Sequence, residues 1–73
     1  MDIHQKIGKT LRTLRLSKGL SQEKFAFEIG IDRSYVSDIE NGSRNISVDM
    51  LDKIAQFHGL KISELFIKIE ENE

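Results

Sequence analysis

Apolar residues recur along this chain in short helical periods, and most of these periods end at a glycine. Ile3, Ile7, Leu11 and Leu14 lie four, four and three residues apart, which predicts a helix over residues 2–18 that stops at Gly19. Phe25, Ala26 and Ile29 predict a second helix over 22–29, opened by Ser21 as a cap and closed by Gly30. Val36 and Ile39 predict a third over 33–41, with Asp32 as its cap and Gly42 as its stop. Ser43 to Ile46 reads as a polar loop. Ser47 then caps a fourth helix over 48–58, with Leu51, Ile54 and Ala55 inward and Gly59 after it. Leu60 and Ile62 lead into a last helix, about 62–70, for which Ser63 is the expected cap, and residues 70–73 are expected to fray. The expected fold is all-α, a compact five-helix domain.

The stretch Ser21 to Asn45, SQEKFAFEIGIDRSYVSDIENGSRN, carries the functional signal. Two short helices follow each other across a tight turn at Gly30, and the small side chain of Ala26 lets them cross closely. That is the geometry of a helix-turn-helix, whose second helix enters the DNA major groove. At about 100° per residue, Arg33, Ser37, Asn41, Ser34 and Asp38 share one side of the third helix, with Tyr35 at its edge. Val36 and Ile39 lie on the other side. Taken alone, the polar side could be no more than the solvated face of a surface helix. Beside a capped turn and Arg44, it offers groups suited to base edges: Arg grips guanine bidentately, Ser donates or accepts, and Asp accepts from cytosine or orients Arg33.

At 73 residues the chain is expected to be a single domain, 1–73, with a small core. Such a chain hides only around 60% of its unfolded surface, and without cysteine no disulfide or thiolate metal site adds to that core. Dimerisation is the remaining route to extra burial. Leu65, Phe66, Ile67 and Ile69 crowd the last helix, more apolar area than one helix face can hide, and are assigned to a homodimer interface. The net charge of −1 argues weakly against nucleic acid, but residues 1–24 carry six basic and two acidic side chains, so a positive region survives. No stretch approaches the ~20 apolar residues of a membrane span, and MDIHQKIGKT lacks a signal-peptide core, so a cytoplasmic location is expected.

With these residues in view, SQEKFA…G…SYVSDIENG resembles the lambda-repressor/Cro type of helix-turn-helix protein over nearly the whole chain. Within that group, DRSYVSDIENGSRNIS is most similar to the controller proteins of bacterial restriction–modification systems. The resemblance implies a homodimer that binds inverted-repeat operators in double-stranded DNA, regulates its own promoter and times expression of the endonuclease. RNA polymerase is a further partner it implies. By position it assigns Arg33, Ser34, Tyr35, Ser37 and Asp38 to bases. Gln22, Asn41, Ser43, Arg44 and Asn45 fall to the phosphate backbone, with Arg44 also within reach of a groove. Arg15 and Glu40 match a pair that forms a buried salt bridge in several family members. Lys24 departs from the pattern, since a capping box would have Glu or Gln there.

Other classes fit less well. His4 and His58, the only histidines, have no neighbouring ligands at metal spacing, and no phosphate loop or nucleophile motif is present, so neither catalysis, a metal nor a cofactor is expected. No residues remain for a ligand-sensing module, and no small-molecule ligand is expected. An antitoxin or small phage-type repressor, which would bind a protein partner as well as DNA, is the alternative; the four residues after the last helix are too few for a wrapping arm. RNA is disfavoured, because Tyr35 is the only tyrosine and the four Phe residues mostly read as core.

Overall fold

A computed structural model describes residues 1–72. It contains α1 (Ile3–Ser17), α2 (Gln22–Ile29), α3 (Arg33–Glu40), α4 (Val48–Phe57) and α5 (Ile62–Glu71), with no strand among the described residues. Local chemistry starts each helix. Asp2 accepts from Gln5 N at 2.9 Å while the Gln5 side chain accepts from Asp2 N, a reciprocal cap that fixes the start of α1. Ser21 and Ser47 each accept, at 3.0 Å, an amide N–H three residues on, and Asp32 accepts that of Ser34 at 3.2 Å. At the end of α2, Gly30 adopts φ 81°, a left-handed conformation that turns the chain towards α3.

The last helix departs from expectation at both ends. Ser63 lies inside α5 and does not cap it; Lys61 is the N-cap residue, and Glu64 Oε1 accepts from Lys61 N at 2.8 Å. A carboxylate reaching back from the first turn thus satisfies the Lys61 amide, and Ser63 makes no cap. At the other end, Glu70 and Glu71 belong to the helix. Asn72 donates its side-chain N–H to Thr10 Oγ1, tying the end of α5 to α1, while Glu73 lies outside the described residues. Thr10 is buried, and its hydroxyl in turn donates to Lys6 O at 2.8 Å.

Helix α1 packs on α3 and α5, α2 on α3, and α4 on α5, with Leu11, Phe25, Val36, Ile39, Ile54 and Leu65 in the shared core. The closest crossing is at Gly8. A Cβ there would stand 2.5 Å from the carbonyl oxygens of both Ile39 and Glu40, so only glycine lets α1 pass over the end of α3.

Two assignments of apolar residues change. Leu65 and Ile69 are sealed in the core at 0% and 1% exposure, so they cannot form a dimer interface; they extend the stripe begun by Ile62 and close the domain against α1 and α4. Phe66 and Ile67 remain outside, 39% and 54% exposed. Of the phenylalanines, Phe25 is core and Phe57 packs edge-on against it. Phe27, in contrast, points outward at 80% exposure.

Candidate nucleic-acid interface

Helix α3 has eight residues, and its burial pattern divides it cleanly. Val36 and Ile39 face the core at 2% exposure. Arg33 and Ser34 are exposed, Tyr35, Ser37 and Asp38 are half-buried, and Asn41 ends the helix in the open. Of the five residues assigned to bases, Arg33 and Ser34 stand in the open, Ser37 and Asp38 are partly covered, and Tyr35 packs in part against the core that holds the helix in place.

The loop that follows folds back onto this face. Ser43 donates both its backbone N–H and its hydroxyl to the carbonyl oxygen of Asp38, at 3.1 and 3.2 Å. Arg44 Nη1 lies 3.6 Å from Asp38 Oδ2, and its guanidinium carbon lies 4.6 Å from the centre of the Tyr35 ring. A shallow groove runs between Ser34 and Tyr35 on one side and Arg44, Asn45 and Ser47 on the other. A second groove joins Arg33 to Ser21 and Gln22, so the start of α3 adjoins the start of α2. Ser34, Tyr35, Arg44 and Asn45 thus border one groove, and Gln22 and Arg33 another.

Beneath that surface lies a buried polar joint. Arg15 donates from Nε and Nη2 to the two carboxylate oxygens of Glu40, at 2.8 and 3.0 Å, and from Nη1 to Leu20 O at 2.6 Å. Gln22 Nε2 donates to Glu40 Oε1 at 3.1 Å. The side chain assigned to phosphate is thus already engaged. Its NH₂ group carries two N–H donors, and the contact with Glu40 uses one of them. This contact joins residues 18 apart in sequence, and no local pattern announces it.

His58 lies away from this face. It stacks on Phe25, meets Phe57 edge-on, and its buried Nε2 has no hydrogen-bond partner. Burial, and after it the charge of Lys18, lower its pKa. No group of three or more His, Cys, Asp or Glu residues that could hold a metal occurs among the described residues. Nor is any helix among them long and apolar enough to cross a membrane.

The helix-turn-helix family profile matches residues 11–65. The chain belongs to that family. Control protein C.MunI of a Mycoplasma species is 49% identical over 71 residues, covering 96% of either chain. Among solved structures, the restriction–modification controller protein C.AhdI of Aeromonas hydrophila superposes with a TM-score of 0.78 at 48% identity, covering 86% of this chain and 96% of its own. The controller protein C.Esp1396I, solved as a tetramer with its natural 35 base-pair operator, superposes with a TM-score of 0.77 at 28% identity, covering 97% and 99%. This helix-turn-helix chain is thus similar over almost its whole length to restriction–modification controllers.

Proposed function

We propose that the chain is a transcriptional regulator of a restriction–modification system, binding inverted repeats in double-stranded DNA as a homodimer. The observation that carries this is α3, pinned to the core by Val36 and Ile39 while Arg33, Ser34, Tyr35, Ser37 and Asp38 reach its outer side. In the major groove Arg33, Ser34 and Ser37 meet base edges, with Arg33 suited to the two acceptors of guanine, and Tyr35 and Asp38 line the same surface. Asn41, Ser43 and Asn45 follow α3 and suit the flanking phosphates, Arg44 suits a phosphate or a base edge, and Gln22 offers its second N–H to the backbone. The likeness to controller proteins, one of them solved on its operator, supports the same reading.

Phe66 and Ile67 supply the apolar surface for a two-fold partner. Such a dimer sets two copies of α3 about 34 Å apart, one turn of DNA, and so calls for a palindromic site. Whether the bound dimer activates or represses follows from where the site lies relative to the promoter.

The test is a binding titration on duplexes from the chain's own upstream region and on scrambled duplexes of the same composition, at several salt concentrations. The cognate duplex is expected to bind at least roughly 10³-fold more tightly. Arg33→Ala should reduce that preference at one symmetric pair of positions. Equal affinity of the wild-type chain for both duplexes would refute the assignment.

A further inference from the structure

The loop after α3 is tied to that helix at its base by Ser43 and at its tip by Arg44. The two groups that hold Arg44, the Tyr35 ring and the Asp38 carboxylate, are three residues apart and share one strip of the helix. Arg44 and Asp38 expose 54% and 47% of their side chains, so the pair adds little to stability. Its consequences are for the direction and the charge of Arg44.

We propose, on the reading of α3 as a DNA-recognition helix, that Tyr35 and Asp38 are positioning residues for Arg44, and that Asp38 sets specificity by offsetting the Arg44 charge on every site while aiming it at a base edge that only the matching site presents. A guanidinium is planar and carries five N–H donors. With its central carbon over the Tyr35 ring and Nη1 towards Asp38, the guanidinium is held at two points, and its donors on the side away from Asp38 are left to address a base. On a mismatched site, attraction to phosphate is all that Arg44 can contribute, and the Asp38 carboxylate offsets that attraction. On the matching site, Asp38 still offsets charge but also fixes the direction of the bidentate contact, so its two effects oppose each other. Asp38 thus weakens non-specific binding while leaving specific binding nearly unchanged. The specificity ratio, which governs occupancy among many competing sites, rises accordingly.

The clamp itself is tested without DNA. The Tyr35 ring lies 4.6 Å from the Arg44 guanidinium carbon, and His4 borders a pocket with Arg44, so a ring-current shift on the Arg44 δ-methylene protons is assigned to Tyr35 by its loss in Tyr35→Leu. Those resonances should be displaced in the wild-type chain and return towards unstructured values in Tyr35→Leu. Unstructured values in the wild type would overturn the proposal and leave the DNA-binding assignment standing.

The consequence is tested by Asp38→Asn on cognate and scrambled duplexes. One further released counterion at about 0.15 M salt corresponds to roughly fivefold in affinity. Asp38→Asn should therefore tighten the scrambled duplex about fivefold, steepen its salt dependence by about one ion, and change the cognate duplex less than about twofold. In an Arg44→Ala background the same substitution should do no more than Glu28→Gln, which removes an exposed carboxylate on α2. An equal gain on both duplexes, or an undiminished gain without Arg44, would reduce Asp38 to overall charge. Weaker cognate binding with the scrambled duplex unchanged would make Asp38 a direct base acceptor. Either result overturns the proposal. A wild-type chain that does not distinguish the duplexes overturns the recognition reading beneath it, and is recognised by that pattern alone.

Discussion

Arg15 and Glu40 join the first and third helices through a forked ion pair whose side chains are only 7% and 5% exposed. Burial makes the pair's net contribution to stability small, but its rupture costly, because the survivor is left charged and unpaired. Arg15→Ala and Glu40→Ala should each lose stability on the order of 3–5 kcal/mol in urea denaturation. Glu40→Ala also strands the Gln22 amide, and Arg15→Ala strands Leu20 O. An exposed pair would instead give well under about 1 kcal/mol. Values that small in both variants would remove the joint from the account of how α3 is held.

Gly8 is a second fixed point on the same crossing. Alanine is worth about 0.5–1 kcal/mol more than glycine inside a helix, so propensity alone favours Gly8→Ala. Against this, the new methyl would stand 2.5 Å from two backbone carbonyl oxygens that cannot rotate aside. Overpacking of that kind costs about 1–3 kcal/mol, so the variant should be less stable overall, with α3 displaced and DNA binding weakened beyond the loss of folded protein. A Gly8→Ala chain that melts higher than wild type would show that α1 and α3 can separate cheaply.

Local chemistry made most of the fold legible. Apolar spacing and the caps at Ser21, Asp32 and Ser47 place the first four helices to within a residue at each end, because a cap acts two or three residues from the amide it satisfies. The start of α5 near Ile62 was legible, but its cap was not, because Lys61 has no capping oxygen and Glu64 accepts from inside the helix. Gln22 with Glu40 and Thr10 with Asn72 are tertiary contacts, set by how helices cross rather than by any nearby pattern. Gly8 did carry a signal, since a glycine inside an apolar-periodic helix often marks a close backbone approach. For the site, the wheel of α3 set Arg33, Ser34, Ser37 and Asp38 opposite Val36 and Ile39, and it is Val36 and Ile39 that the core buries. It could not show that Arg44, in a loop, returns to Tyr35 and Asp38.

His58 should make the fold sensitive to mild acid. Burial among Phe25 and Phe57, together with Lys18, depresses its pKa, so the folded chain binds this proton less readily than the unfolded chain, where the value is about 6.5. The stability that comes from keeping His58 neutral is therefore present above about pH 6.5, and is lost as pH falls towards the depressed folded-state value. Melting temperatures at pH 7.5 and 5.0 should fall more steeply for wild type than for His58→Leu, which cannot take up the proton. Equal slopes would mean that other groups carry the acid sensitivity.

The last helix separates a core stripe from an outer one, and substitutions should separate them too. Leu65 is fully buried, so Leu65→Ala removes packing that the domain cannot refill and should lose about 2–5 kcal/mol, with unfolding of the monomer. Phe66 and Ile67 expose 39% and 54% of their surface, so charging both with Phe66→Glu and Ile67→Glu leaves the core contacts in place. Helix content should then match wild type by circular dichroism, while sedimentation at micromolar concentration shifts from dimer to monomer. Loss of the dimer should also cost more affinity on an inverted repeat than on a single half-site, because only the former engages both copies of α3 at once. If the charged double variant sediments as wild type, the two-fold contact lies elsewhere, and the exposed apolar side chain of Phe27 on α2 becomes the next surface to charge. If wild type is itself monomeric, both free and on the inverted repeat, the homodimer reading is wrong.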